Sequence, residues 1–205
     1  MKKHTLIQSF FWKLANYNSF YMKFCSTSFN NVSGIGLIFL MQICITFFSG
    51  YLASTLFNLN WLISSVVGLV FVLFLFFYIK YSTLFLSNTL RSNRLLILFF
   101  CSFITAVIVI LPFLLKVFQS QIEYVFLINH GTITLTNTNK LWKLPYGLYE
   151  LWFNEENDLL VFYVSSALFI LMLFIFFYPY SLIYNNKTSL YYKIIKIYEE
   201  RFIKE

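Results

Sequence analysis

The chain is 205 residues long, 60% hydrophobic and 22% aromatic, with only 11% charged residues and a mean hydropathy of +0.73. A soluble domain holds about 25% charged and roughly 45–50% apolar residues, so this composition excludes water as the main solvent. The 15 Lys and Arg against 8 Asp and Glu are therefore expected to be sorted by membrane side, not to line a nucleic-acid groove.

At the N-terminus, the apolar stretch between Lys3 and Lys13 is too short for a secretory signal and lacks a small-residue cleavage site, so the mature chain is expected to start at Met1. Leu6, Ile7, Phe10, Phe11 and Leu14 fall on one helical face beside Lys13, with Trp12 suited to the headgroup level. That pattern predicts a helix lying on the membrane surface.

A spanning helix needs about 20 mostly apolar residues. Four stretches meet this, at 35–57, 61–79, 95–115 and 159–184, and none holds a charge inside. Only Asn58-Leu59-Asn60 separates the first two, which makes them an antiparallel hairpin. The N-terminal segment carries Lys2, Lys3, Lys13 and Lys23. The loop after the second span carries Lys80, Arg91 and Arg94, and the tail carries Lys187, Lys193, Lys196, Arg201 and Lys204. Twelve of the 15 basic residues thus share one side, which is expected to be cytoplasmic, with both termini.

The outer loop, 116–158, holds Lys116, Lys140 and Lys143 with most of the acids. Within it, Tyr124–Asn129 and Thr132–Thr136 flank Asn129-His130-Gly131 and predict a short β-hairpin. Gly147–Asn157 reads as helical. Glu155, Glu156 and Asp158 sit where a helix N-terminus favours acids, at about 0.3–1 kcal/mol each. In the tail, Leu190, Ile194, Ile197 and Tyr198 form a stripe opposite Lys193, Lys196 and Lys204, consistent with a second surface helix or a solvated charged tail. The expected fold is an all-α membrane protein, a single integral membrane domain over 1–205.

Inside the spans the deepest polar groups are Gln42, Thr46, Ser102 and Thr105, and no ionisable group sits near a midplane as ion-coupled transport requires. Small residues are spaced for close helix contact: Gly36, Ser49-xxx-Ala53 and Gly50-xxx-Ser54 in the first span, Ser64-xxx-Gly68 in the second, Ser102-xxx-Ala106 in the third. Pro112 and Pro179 are placed to kink or end helices. Trp12, Lys80, Arg91, Arg94 and Lys116 are expected at the interface, where long cations snorkel.

Chemistry is scarce. His4 and His130 are expected on opposite faces, Cys25, Cys44 and Cys101 form no CxxC pair, and no phosphate loop, HExxH or GxSxG occurs. The chain is expected not to be an enzyme and to need no metal or cofactor.

Phe10-Phe11-Trp12, Cys25-Ser26-Thr27, Gly34-Ile35-Gly36 and Ser49-Gly50-Tyr51 followed by Phe57 resemble the opening of a bacterial four-span membrane family known as a domain of unknown function. Arg94-Leu95-Leu96 and Leu111-Pro112-Phe113-Leu114-Leu115-Lys116-Val117-Phe118 resemble its third span, and Gly147-Leu148-Tyr149-Glu150-Leu151 with Tyr178-Pro179 the entry and exit of its fourth. The family typically carries a long coiled coil in the outer loop, which this chain lacks. An Asp-Arg pair usual after the second span falls at Lys80-Tyr81, and two usual Glu positions are Leu114 and Gln121. The resemblance implies an architecture more than an activity.

These observations favour a small structural or accessory subunit that assembles with itself or with other membrane proteins in a bacterial inner membrane. Its expected partners are the lipid bilayer and protein subunits, not nucleic acid. Abundant Phe, Tyr, Asn, Ile and Lys fit an AT-rich gene, so a mitochondrial inner membrane and a respiratory subunit stay open. Bacteriocin immunity or phage defence is the alternative class, and a channel or transporter the second.

Overall fold

The computed structural model describes residues 5–15, 17–22, 25, 29–87, 92–130, 145–152, 159–185, 193–194 and 197. The helices are α1 (Leu6–Leu14), α2 (Ser19–Met22), α3 (Phe29–Thr55), α4 (Trp61–Ser87), α5 (Ser92–Val117), α6 (Gln119–His130), α7 (residues 145–152) and α8 (Leu159–Asn185). Four stretches of them, Asn31–Thr55, Trp61–Thr83, Leu96–Val117 and Val161–Asn185, are long and apolar enough to cross a bilayer. By length and hydropathy of its helices the chain is a multi-pass membrane protein.

The long helices overrun the hydrophobic windows. α4 has 27 residues, about 40 Å at 1.5 Å per residue, against a hydrocarbon core of about 30 Å. Its last turn, beyond Thr83, therefore extends the ladder past the apolar window. α3 likewise begins at Phe29, ahead of the predicted Ile35, because Asn30 and Asn31 continue the helix without adding hydropathy. Both α5 and α8 continue through their internal prolines, Pro112 and Pro179.

The α3–α4 turn is a helix cap. Asn58 adopts a left-handed φ of 56°. Its N–H bonds to the Thr55 carbonyl at 3.0 Å, and the Leu59 N–H reaches the Ser54 carbonyl at 3.4 Å. This pair of bonds is a Schellman arrangement, with asparagine supplying the left-handed residue that otherwise calls for glycine. Asn60 then offers its carbonyl to the Ser64 N–H at 2.9 Å and opens α4.

The predicted hairpin is corrected at its first strand: residues 124–129 are helical, within α6. Composition there favours strand, but β propensity yields to burial. Phe118 N–H bonds to Leu114 and Ile122 N–H to Phe118, so the backbone ladder carries over from α5. Leu114, Phe118, Ile122 and Val125 are all buried at helical spacing. Lys116 Nζ donates to Gln119 Oε1 at 3.1 Å and Gln119 Nε2 to Glu123 Oε1 at 2.9 Å, pairs that only a helix brings together. The second predicted strand, 132–136, lies outside the described residues.

The chain forms two compact units. One comprises residues 1–44, 76–101 and 177–205; the other comprises 45–75 and 102–176. The core of the first includes Trp12, Met22, Ile35, Phe39 and Tyr180. In it the Tyr180 ring meets Phe39 at 5.7 Å and Tyr78 at 5.8 Å between centroids. The core of the second includes Ala106, Leu114, Ile122, Leu148 and Phe176, with Phe103 and Phe169 edge to face at 5.3 Å.

Candidate functional site

α1 begins with a capping box: Thr5 Oγ1 accepts from the Gln8 N–H and Gln8 Oε1 from the Thr5 N–H. The Thr-x-x-Gln signature was available in the sequence and marks the start of the helix. The helix then shows two faces. Leu6, Ile7 and Phe10 are exposed, while Trp12 and Ala15 are buried. Trp12, expected at the headgroup level, is enclosed by protein, and its indole N–H donates to Ser33 Oγ of α3 at 3.1 Å. Gly36 explains how α1 comes so near: a Cβ there would collide with the backbone carbonyl of Phe11.

In the second unit, α3 and α4 touch through glycine. A Cβ on Gly50 would lie 3.0 Å from the Gly68 Cα and 2.9 Å from Phe71 Cγ, and one on Gly68 would lie 2.8 Å from the Phe47 carbonyl oxygen. Ser49, Ser54 and Ser64 are buried beside this contact and Ala53 is half-buried. Ser54 returns its hydroxyl to the Tyr51 carbonyl at 2.7 Å. Ser102, fully buried with Ala106 on α5, aims its hydroxyl at the Phe176 carbonyl of α8 at 3.5 Å. These small residues thus lie at contacts within the chain.

The other residues named from sequence scatter. Lys80 and Lys116 are exposed on α4 and α5. Arg94 belongs to α5, His130 ends α6, and Arg91, His4, Glu155, Glu156 and Asp158 lie outside the described residues. None of the three cysteines forms a disulfide. Cys25 is buried with its thiol 3.5 Å from the Tyr21 carbonyl, and burial pushes that thiol up from its ordinary range by disfavouring the thiolate. Among the described residues no three His, Cys, Asp or Glu side chains gather as a metal site needs.

Two clefts were not anticipated, because each joins residues remote in sequence. One, of about 420 Å³ in the second unit, is walled by Val107, Ile110, Leu114, Trp152, Ser165 and Phe169 among others, and carries no charge. The other, of about 250 Å³ in the first unit, is lined by Lys13 and Leu14 of α1 with Phe76, Ile79, Lys80 and Thr83 of α4.

No protein-family model matches the chain, no curated protein matches it, and no solved structure does.

Proposed function

We propose that the chain is a small structural or accessory membrane subunit that works by holding partners, itself or other subunits, within the bilayer. The observation that carries this reading is how little of each span the chain covers for itself. The most apolar windows of α4 and α8 are each only 22% buried. Leu62, Val66, Leu73 and Phe74 stand exposed along α4, opposite a glycine face already spent on α3.

The charges of the two units support an orientation with both ends cytoplasmic. The described charged residues of the first unit are Lys13, Lys80, Arg94 and Lys193, all cationic, whereas those of the second are Lys116, Glu123 and Glu150. Retention of Lys and Arg on the cytoplasmic side predicts this division. A bacterial inner membrane is the host most consistent with these features.

Photo-crosslinking in native membranes tests the proposal. A benzophenone side chain at Val66 or Leu73 is expected to give discrete protein adducts, and one at buried Ser64 none. Adducts to lipid alone at both exposed positions would overturn the subunit reading. For orientation, single cysteines at Ser120 and Lys193 in a background without native cysteine are the probes. Ser120→Cys is expected to react with an external impermeant reagent and Lys193→Cys only after lysis; the reverse pattern refutes it.

A further inference from the structure

We infer that the cleft between α1 and α4 is a binding site for the headgroup phosphate of an anionic phospholipid, held between Lys13 and Lys80. The two lysines belong to helices far apart in sequence, yet they line one space of about 250 Å³ with Leu14, Phe76, Ile79 and Thr83. Like charges that share a cleft repel each other unless an anion lies between them. The described charged residues of that unit, Lys13, Lys80, Arg94 and Lys193, include no anion.

The surroundings favour a lipid over a dissolved anion. Lys80 lies three positions before the end of the apolar stretch Trp61–Thr83, at the level where a lysine stem runs along hydrocarbon and its head reaches the phosphate layer. Lys13 closes the last turn of α1, whose exposed Leu6, Ile7 and Phe10 form an apolar edge suited to the bilayer surface. Phe76, Ile79 and Leu14 give the cleft apolar walls for the glycerol and first methylenes of an acyl chain. A free phosphate would gain the two charges but leave those walls wet. A phospholipid satisfies both, and phosphatidylglycerol carries the required net charge where phosphatidylcholine does not. This site is independent of whether the chain acts as a subunit.

The test is native mass spectrometry of the full chain exchanged into nanodiscs of phosphatidylglycerol, of phosphatidylcholine, or of their mixture. Wild type is expected to retain one phosphatidylglycerol per chain from the mixture. Each lysine contributes about fivefold to such binding, so Lys13→Gln with Lys80→Gln should cut retention about twenty-five-fold. Lys13→Arg with Lys80→Arg should restore it, and Lys116→Gln, on α5, should leave it unchanged. Size-exclusion profiles without added lipid establish that the variants fold. Equal retention by wild type and the double glutamine variant overturns the proposal. So does equal competition by soluble glycerol 3-phosphate, which would make the ligand a free anion. Retention that appears only when Glu199, Glu200 and Glu205 become glutamine would place the chain's own carboxylates in the cleft and overturn it as well.

Discussion

Two glycines separated by one residue in α3 should respond to alanine with opposite signs. Around Gly34 a new Cβ meets nothing within 4 Å. Alanine there gains only the helical preference over glycine, about 1 kcal/mol. At Gly36 the same Cβ would collide with the Phe11 carbonyl oxygen and lie 2.8 Å from its carbon and 2.9 Å from its Cα. All three are backbone atoms, so no rotamer change relieves the clash and α1 must move. Overpacking of this kind costs about 1–3 kcal/mol. Because the preference for alanine is common to both sites, it cancels when the variants are compared. Gly36→Ala should therefore be less stable than Gly34→Ala by about 1–3 kcal/mol. Trp12 is the local reporter, since it is fully buried and bonded to Ser33. With Trp61, Trp142 and Trp152 changed to phenylalanine, its emission should shift to the red in Gly36→Ala and stay in place in Gly34→Ala. Unfolding curves in detergent supply the stability difference. A Gly36→Ala protein as stable as Gly34→Ala, with unshifted Trp12 emission, would refute the close approach of α1 to α3.

Gly68→Leu should break the α3–α4 contact and yield an aggregated or poorly expressed chain, because its side chain meets the Phe47 backbone; monodisperse protein at wild-type yield contradicts this. At Asn58, whose φ is 56°, glycine should be neutral or slightly stabilising and valine should cost about 1–2 kcal/mol, measured by the unfolding midpoint in denaturing detergent. Cys25 gives a pH dependence. Its folded thiol titrates above the unfolded one, so its share of stability is intact below the unfolded value of about 8.5 and is lost as pH rises toward the folded one. Cys25→Ser should flatten the stability curve in that window, and identical slopes in the two proteins would show that the thiol is not desolvated.

Hydropathy and charge are properties of a chain segment, so the four spans, their rough lengths and the asymmetry of the lysines and arginines were legible without coordinates. The turn at Asn58-Leu59-Asn60 was legible too, because three residues leave no other way to join two long apolar runs. The packing glycines could be named from their spacing, but not what they pack against. Gly50 meets Gly68 because the short turn aligns α3 with α4, whereas Gly36 meets Phe11, a contact that periodicity within one helix cannot reveal.

Tertiary structure decided the rest, wherever two outcomes are locally equivalent. Residues 124–129 suit a strand or a helix, and the burial of Ile122 and Val125 in register with Phe118 selects the helix. Trp12 reads alone as an aromatic on a surface helix, and only the structure shows its indole N–H donating to the Ser33 hydroxyl of α3. Lys13 and Lys80 each read alone as a cation at a helix end. Only the docking of α1 against the first unit's part of α4 puts both on one cleft. Sequence determined which segments leave water, because transfer into the bilayer is summed residue by residue. Which residues meet was decided by contacts between distant segments, because packing and charge pairing act across space and leave no local mark.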